Sequence, residues 1–193
     1  MSILMAALKL KLRFALSYWG HDGVGLAQAF LKTSIVPLTQ LDQLLPKAGE
    51  IWDLGCGEGI LANLIAICRP DATVVGVDRD KGRIQIAQSH SQPNARFELS
   101  EIYPWLTSGK PRPAAIIFND VIHHQEYHDQ AVLLQEAIRC LSEQGVLILK
   151  EVDQADSIDR LMTTLFDRRL YPNDPLCFRA LTEWVALFAS FKK

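Results

Sequence analysis

The stretch Glu50-Ile-Trp-Asp53-Leu-Gly55-Cys-Gly57-Glu-Gly59 decides the fold of this chain. It joins a short apolar run to a cluster of glycines, and Ile60 to Cys68 continues as an apolar helix closed by Arg69-Pro70-Asp71. A buried strand that feeds a helix through a glycine turn is the opening unit of a parallel α/β sheet. Glycines there let the chain turn sharply and approach a ligand without a Cβ in the way. The helix start beyond offers backbone N–H groups to a carboxylate or phosphate.

The same alternation recurs downstream. Thr73 to Val77 is a β-branched strand, and Asp80 to Ser89 is a helix with Ile84 and Ala87 on one face, broken at Gln92-Pro93-Asn94. Arg96 to Leu99 alternates as a strand, Ala114 to Phe118 follows Pro111 and Pro113 as a fourth, and Val146 to Leu149 is a fifth. Between the last two, Leu134, Ala137, Ile138 and Leu141 recur at helical spacing before Gly145, and His128 with Asp129 starts that helix. Strands alternating with helices imply right-handed crossovers, so the expected fold is α/β: a doubly wound, Rossmann-like, mainly parallel sheet.

The flanks are helical in pattern. Leu8 to Phe14 alternates with period two, yet Leu8, Leu12, Ala15 and Trp19 also fit a helix, which the lack of turn signals favours. Ile158, Leu161, Met162, Leu165 and Phe166 form a helical stripe, and Tyr171 to Pro175 is a loop. Trp184, Leu187, Phe188 and Phe191 make a last helix with Thr182 as its expected N-cap.

Composition bounds the class. The 193 residues fit one domain, 49% are hydrophobic, and 20 basic against 22 acidic residues give a net charge of -2. No strong basic field draws nucleic acid. The cysteines at 56, 68, 140 and 177 have no zinc-ligand spacing, so no metal is expected and the thiols read as reduced, in a cytoplasmic protein. The cations Lys9, Lys11 and Arg13 follow the first apolar run, the reverse of a signal peptide, and no run reaches the ~18 apolar residues of a membrane span. The basic amphipathic stretch from Leu8 to Trp19 fits peripheral contact with a membrane surface, or a packed helix.

The spacing of the glycine turn argues against a dinucleotide as its ligand. Counted from Gly55, the third glycine of G-x-G-x-x-G falls on Ile60; counted from Gly57, it falls on Ala62, a weak variant. Asp53 places a negative charge where a pyrophosphate would sit, and suits a ligand with an ammonium group or an ordered water. The chemistry points to a zwitterionic cofactor, and Ile60 and Asp53 disfavour the rival reading, a nicotinamide oxidoreductase.

Asp53-Leu-Gly55-Cys-Gly57-Glu-Gly59 resembles the first motif of the class I S-adenosylmethionine (SAM) dependent methyltransferases. Val74 to Asp78 resembles the second, with Asp78 standing 25 positions after Asp53. Phe97-Glu-Leu-Ser100-Glu101 resembles the third, with Glu in place of the commoner Asp, and Ile116-Ile-Phe-Asn119-Asp120-Val-Ile-His123-His124 the fourth. The likeness covers roughly residues 50 to 150.

The resemblance implies SAM as cofactor, held by Asp53, Gly55, Cys56, Gly57, Gly59, Asp78, Arg79, Ser100, Glu101 and Asn119. Asp78 would take the ribose hydroxyls, Glu101 the adenine amino group, and Asn119 would offer its backbone carbonyl to the methionine amine. It implies Asp120, His123 and His124 as catalytic candidates beside the acceptor, the alternative for the histidines being packing beneath the cofactor. Cys56 reads as a small cradle residue and not as a nucleophile.

Residues 1–49 would form a helical lid, with Tyr18, Trp19 or His21 lining the acceptor pocket, and residues 50–193 the SAM-binding domain. Residues 151–180 would form a substrate cover in which Arg168, Arg169 and Arg179 suit an acidic acceptor group or simply face solvent. The expected reaction moves a methyl group to a small-molecule or lipid-like acceptor. The absence of Asn-Pro-Pro-Tyr after Asn119 disfavours nucleic-acid amines, and the alternative is a catalytically silent SAM-binding regulatory or assembly subunit. The family's sheet ends in an antiparallel hairpin for which residues are lacking after Phe191. The expectation is therefore strand order 3-2-1-4-5, and an edge at strand five that marks a truncated product or is covered by a partner or a second copy.

Overall fold

The structure, a computed structural model, describes residues 38–191. The lid segment Ser17 to Gly23 and the stretch from Leu8 to Trp19 lie outside the described residues. The elements run α1 (Leu38–Leu44), β1 (Gly49–Leu54), α2 (Ile60–Cys68), β2 (Ala72–Asp78), α3 (Lys81–Ser89), β3 (Ala95–Leu99), α4 (Ile102–Leu106), β4 (Ala115–Asn119), a 3-10 turn (Ile122–His124), α5 (Tyr127–Cys140), β5 (Val146–Lys150), α6 (Ser157–Leu170) and α7 (Leu181–Ser190).

The five strands pair in parallel in the order β3-β2-β1-β4-β5. The central three, β2, β1 and β4, are mostly apolar and buried on both faces along most of their length, as a parallel sheet requires. Alternation along β1 sends Ile51 to one core, with Val74, Ile117, Leu61, Ile65 and Ile84, and sends Trp52 and Leu54 to the other, with Val75, Phe118, Leu134 and Trp184. Helix α1 contributes Leu41 to the first core, so it packs with the sheet domain rather than apart from it.

One expectation needs correction at this level. Thr182 is not the N-cap of α7: Ala180 holds that position, and the Glu183 carboxylate reaches back to accept its N–H at 2.7 Å. The short helix α4 carried no periodic signal, and it exists because Trp105 and Leu106 plug the second core, Trp105 edge-on to Trp52 at 5.6 Å between ring centres. Strand β5 pairs only with β4 among the described residues and is half-buried along most of its length.

Candidate functional site

All parallel strands point the same way, so the loops after β1, β2, β3 and β4 converge at their carboxyl ends, where open α/β sheets bind ligands. A cavity of about 170 Å³ opens there. Asp78, Arg79, Ser100 and Glu101 line one side; Asp120 and His124 line the other, and Tyr171 and Asp174 lean across it.

The glycine turn is stitched to β2 from within. Gly55 and Cys56 both donate their N–H to the Val77 carbonyl, at 2.7 and 3.0 Å, and Gly57 donates to Asp78 Oδ2 at 2.9 Å. The turn's first N–H groups are thus spent on the protein, and they position Asp78 instead of greeting an anion. Its other oxygen accepts from the Asp80 N–H at 2.8 Å, so the carboxylate is fixed while each oxygen keeps a lone pair for a hydroxyl.

The glycines answer to close packing. Gly59 has φ 76°, and a Cβ there would stand 2.6 Å from the Phe97 ring; at Gly55, with φ 80°, it would stand 2.4 Å from the Val121 side chain.

Asp53 lies just beneath this turn, buried to 2% exposure. Burial pushes its carboxyl up to about 7, against an N–H from Ala62 that lowers it, and the Asp78 charge adds to the rise. Its Oδ2 has no partner. Cys56 does not face the cavity: its side chain packs against the first core, and burial among carboxylates raises its thiol well above the ordinary range.

The two histidines after β4 part company. His123 is buried and lies outside the cavity wall. Its Nδ1 meets Glu151 Oε2 at 2.5 Å, its Nε2 meets Asp167 Oδ2 at 3.0 Å, and its ring stacks on Phe178. Burial opposes its charge, but the bonds to Asp167 and Glu151 win and raise it to about 9. Glu151 also accepts the N–H groups of Val121 and Ile122, at 2.9 and 2.6 Å. His123 is therefore a fixed cation that pins the loop after β4, not a base.

His124 lines the cavity, 4.3 Å ring to ring from His123. Burial and the His123 charge push its pKa down, so it stands neutral near pH 7. His123, His124 and Asp167 bring ligand-type atoms within 4.8 Å of one another. Both ring nitrogens of His123 are engaged by carboxylates, and the cluster is held as a hydrogen-bonded ion pair.

Asp120 carries φ 55°, its Oδ2 accepts from Lys150 Nζ, and burial raises its carboxyl. Asn119 ends β4 beside Lys150, just outside the cavity lining. Over the cavity, Arg79 binds Asp174 at 2.5 Å, and Arg83 both donates to the Tyr171 hydroxyl and lies on its ring. These contacts hold the cavity below the roughly 300–1,000 Å³ of small-molecule pockets.

The arginines singled out from the sequence are elsewhere: Arg168 and Arg169 are exposed at the end of α6, and Arg179 binds Gln130 and the Tyr127 carbonyl. Sequence reasoning missed Glu151, Asp167 and Asp174. Glu151 alone carried a signal, as the first residue past a parallel strand.

The fold and this arrangement of acids around a strand-end cavity define a nucleoside-cofactor domain. A family model described as a methyltransferase domain matches residues 27–190, and the chain belongs to that family, with SAM as its cofactor. Trans-aconitate 2-methyltransferase of Variovorax paradoxus is 34% identical over 112 residues, 58% of this chain and 42% of that protein. Ubiquinone biosynthesis O-methyltransferase of Pelagibacter ubique is 24% identical over 106 residues, 54% of this chain and 42% of that protein. The chain thus matches less than half the length of these relatives. The solved DhpI–SAH complex superposes with a TM-score of 0.66 at 14% identity, covering 97% of this chain and 88% of that one, a likeness of fold.

The chain's own residues fit SAM at two points: Asp78 is held with lone pairs to spare, and the orphaned Asp53 Oδ2 suits an ammonium group or its water. Among the described residues, no helix is long and apolar enough to cross a membrane.

Proposed function

We propose that this chain transfers a methyl group from SAM to a small-molecule or lipid-like acceptor. The observation that carries the reading is a single cavity with Asp78 and Glu101 on one wall and Asp120 and His124 on the other. The names of the curated relatives support a small acceptor. When bound, SAM supplies a methyl group already activated on a sulfonium. Asp78 and Glu101 then hold sugar and base, the Asp53 carboxylate and the Gly55 and Asn119 carbonyls serve the methionine end, and the post-β4 loop presents Asp120 and His124 to the acceptor. The cover over residues 151–180 excludes water.

Calorimetric titration of the full chain with SAM and with NAD tests this. SAM is expected to bind and NAD not, and Asp78→Ala is expected to weaken SAM at least about tenfold through loss of a charge-assisted hydrogen bond. Unchanged affinity in that variant overturns the assignment. SAM bound but never consumed across an acceptor panel turns the reading to a silent binding subunit. Free thiols support a cytoplasmic setting. The outer edge of β5 is where a second copy would pair, which concentration-dependent light scattering checks.

A further inference from the structure

What the cavity leaves unpaired speaks to the acceptor's chemistry, and this inference rests on the methyltransferase reading above. Two buried atoms of lining residues, Asp120 Oδ1 and His124 Nδ1, have no hydrogen-bond partner. Asp120 is held by Lys150 on its other oxygen, and Asn119 Nδ2 stands 3.5 Å from that same oxygen. A carboxylate there accepts and cannot donate.

His124 faces Asp167 Oδ2 at 3.8 Å from Nε2 and Asp174 Oδ2 at 3.7 Å from Nδ1, with the Tyr171 ring at 4.7 Å. Both of those oxygens lie beyond hydrogen-bond reach, and both already accept, from His123 and from Arg79 respectively. The neutral imidazole therefore keeps a free lone pair in the same cavity as an acceptor-only carboxylate.

We propose that the acceptor is a protic nucleophile, a hydroxyl or an amine, whose O–H or N–H is taken by His124 and whose second donor is held by Asp120, and that it is not a carboxylate.

The charges around the site argue the same way. Lys150 is engaged by Asp120, Arg79 by Asp174, His123 by Glu151 and Asp167, and Arg83 by Tyr171. A carboxylate acceptor would add an anion beside Asp78, Glu101, Asp120 and Asp174 and find these four cations already engaged, the costly case of an unpaired buried charge. A protic acceptor completes both orphans.

The step balances. The acceptor's oxygen or nitrogen forms the bond to the methyl carbon, and the carbon–sulfur bond breaks with its pair on sulfur. The acceptor's proton goes to His124, whose cation stands between Asp167 and Asp174, and then to solvent. Asp120 and His124 are catalytic residues on this account, and Glu151, which acts through His123 and the loop backbone, is a positioning residue.

The full chain is offered SAM with catechols, aliphatic diols and primary amines, each of which carries two donors, and with trans-aconitate as the carboxylate. Products are read by mass spectrometry, and SAM affinity is measured in parallel by calorimetry. Methylation is expected in the protic arms and not of trans-aconitate. With the best acceptor, His124→Asn is expected to lower kcat about 10²–10⁴-fold and to remove the acid limb of the kcat–pH profile, with SAM affinity unchanged. Asp120→Asn is expected to raise KM for that acceptor. Trans-aconitate methylated faster than any protic compound, kcat unmoved in His124→Asn, or no product from any protic arm by protein that binds SAM each overturn the proposal. Protein that binds no SAM instead fails the methyltransferase reading itself.

Discussion

Asp53→Asn separates what the glycine turn contributes to folding from what it contributes to the cofactor. The carboxyl rises from an ordinary 3.8 to about 7 in the folded chain. At ~1.4 kcal/mol per pH unit, that displacement corresponds to about 4 kcal/mol. Because the folded value is the higher one, the folded state binds the proton more tightly. That advantage is complete below about pH 3.8 and is lost as pH rises through about 7. At pH 8 the protein therefore holds an ionised, buried carboxylate with one oxygen unpaired.

An amide keeps the acceptor for the Ala62 N–H, is close in shape to the protonated acid, and does not titrate. Its extra N–H lacks a partner, at ~1–3 kcal/mol. The variant should be about 1–3 kcal/mol less stable in acid, and the two curves should cross as pH rises, leaving the variant about 1–3 kcal/mol more stable at pH 8. Urea unfolding at pH 4.5, 6, 7 and 8 measures this, and the His123 titration cancels in the difference. SAM affinity should move the other way, falling about tenfold or more with the loss of the anion, a trade between stability and function. A difference that does not change with pH, or a variant less stable at pH 8, refutes the reasoning.

Two further outcomes follow from the same network. Glu151→Gln removes one of the two carboxylates that hold the His123 charge and should cost about 3–5 kcal/mol. In the parent protein, the His123 rise from 6.5 to about 9 adds about 3 kcal/mol, complete below pH 6.5 and lost as pH passes 9. That slope should shrink in the variant, and denaturation at pH 6 and 9.5 reads both effects; an unchanged slope rejects the ion-pair account. Asp174→Asn loosens the half-exposed contact with Arg79, so stability should change by less than about 1 kcal/mol. The rate of SAM association measured by stopped flow should rise, and a slower rate would show that the contact prepares the site instead of covering it.

The sheet was legible in the sequence because its signals are local: unbroken apolar runs, glycines at a strand end, and helical spacing between them each follow from one stretch of chain. The acids at strand ends were legible for the same reason, since Asp78, Glu101 and Asp120 take their places from strand register alone. The division of labour between His123 and His124 was not. Adjacent in the chain, they differ because Glu151 and Asp167, 28 and 44 residues away, converge on one ring and leave the other. The arginines of the 151–180 stretch were open in the same way: Arg168 and Arg169 face solvent, one of the two readings the sequence left open, while Arg79 and Arg83 are the ones that meet Asp174 and Tyr171 of that stretch. Charge on a helix or loop has no address until tertiary structure supplies its partner. Around this cavity the partner is a carboxylate for Lys150, Arg79 and His123 and a tyrosine hydroxyl for Arg83, so these charges hold the loop after β4 and the covering segment in place, a role that no stretch of sequence shows by itself.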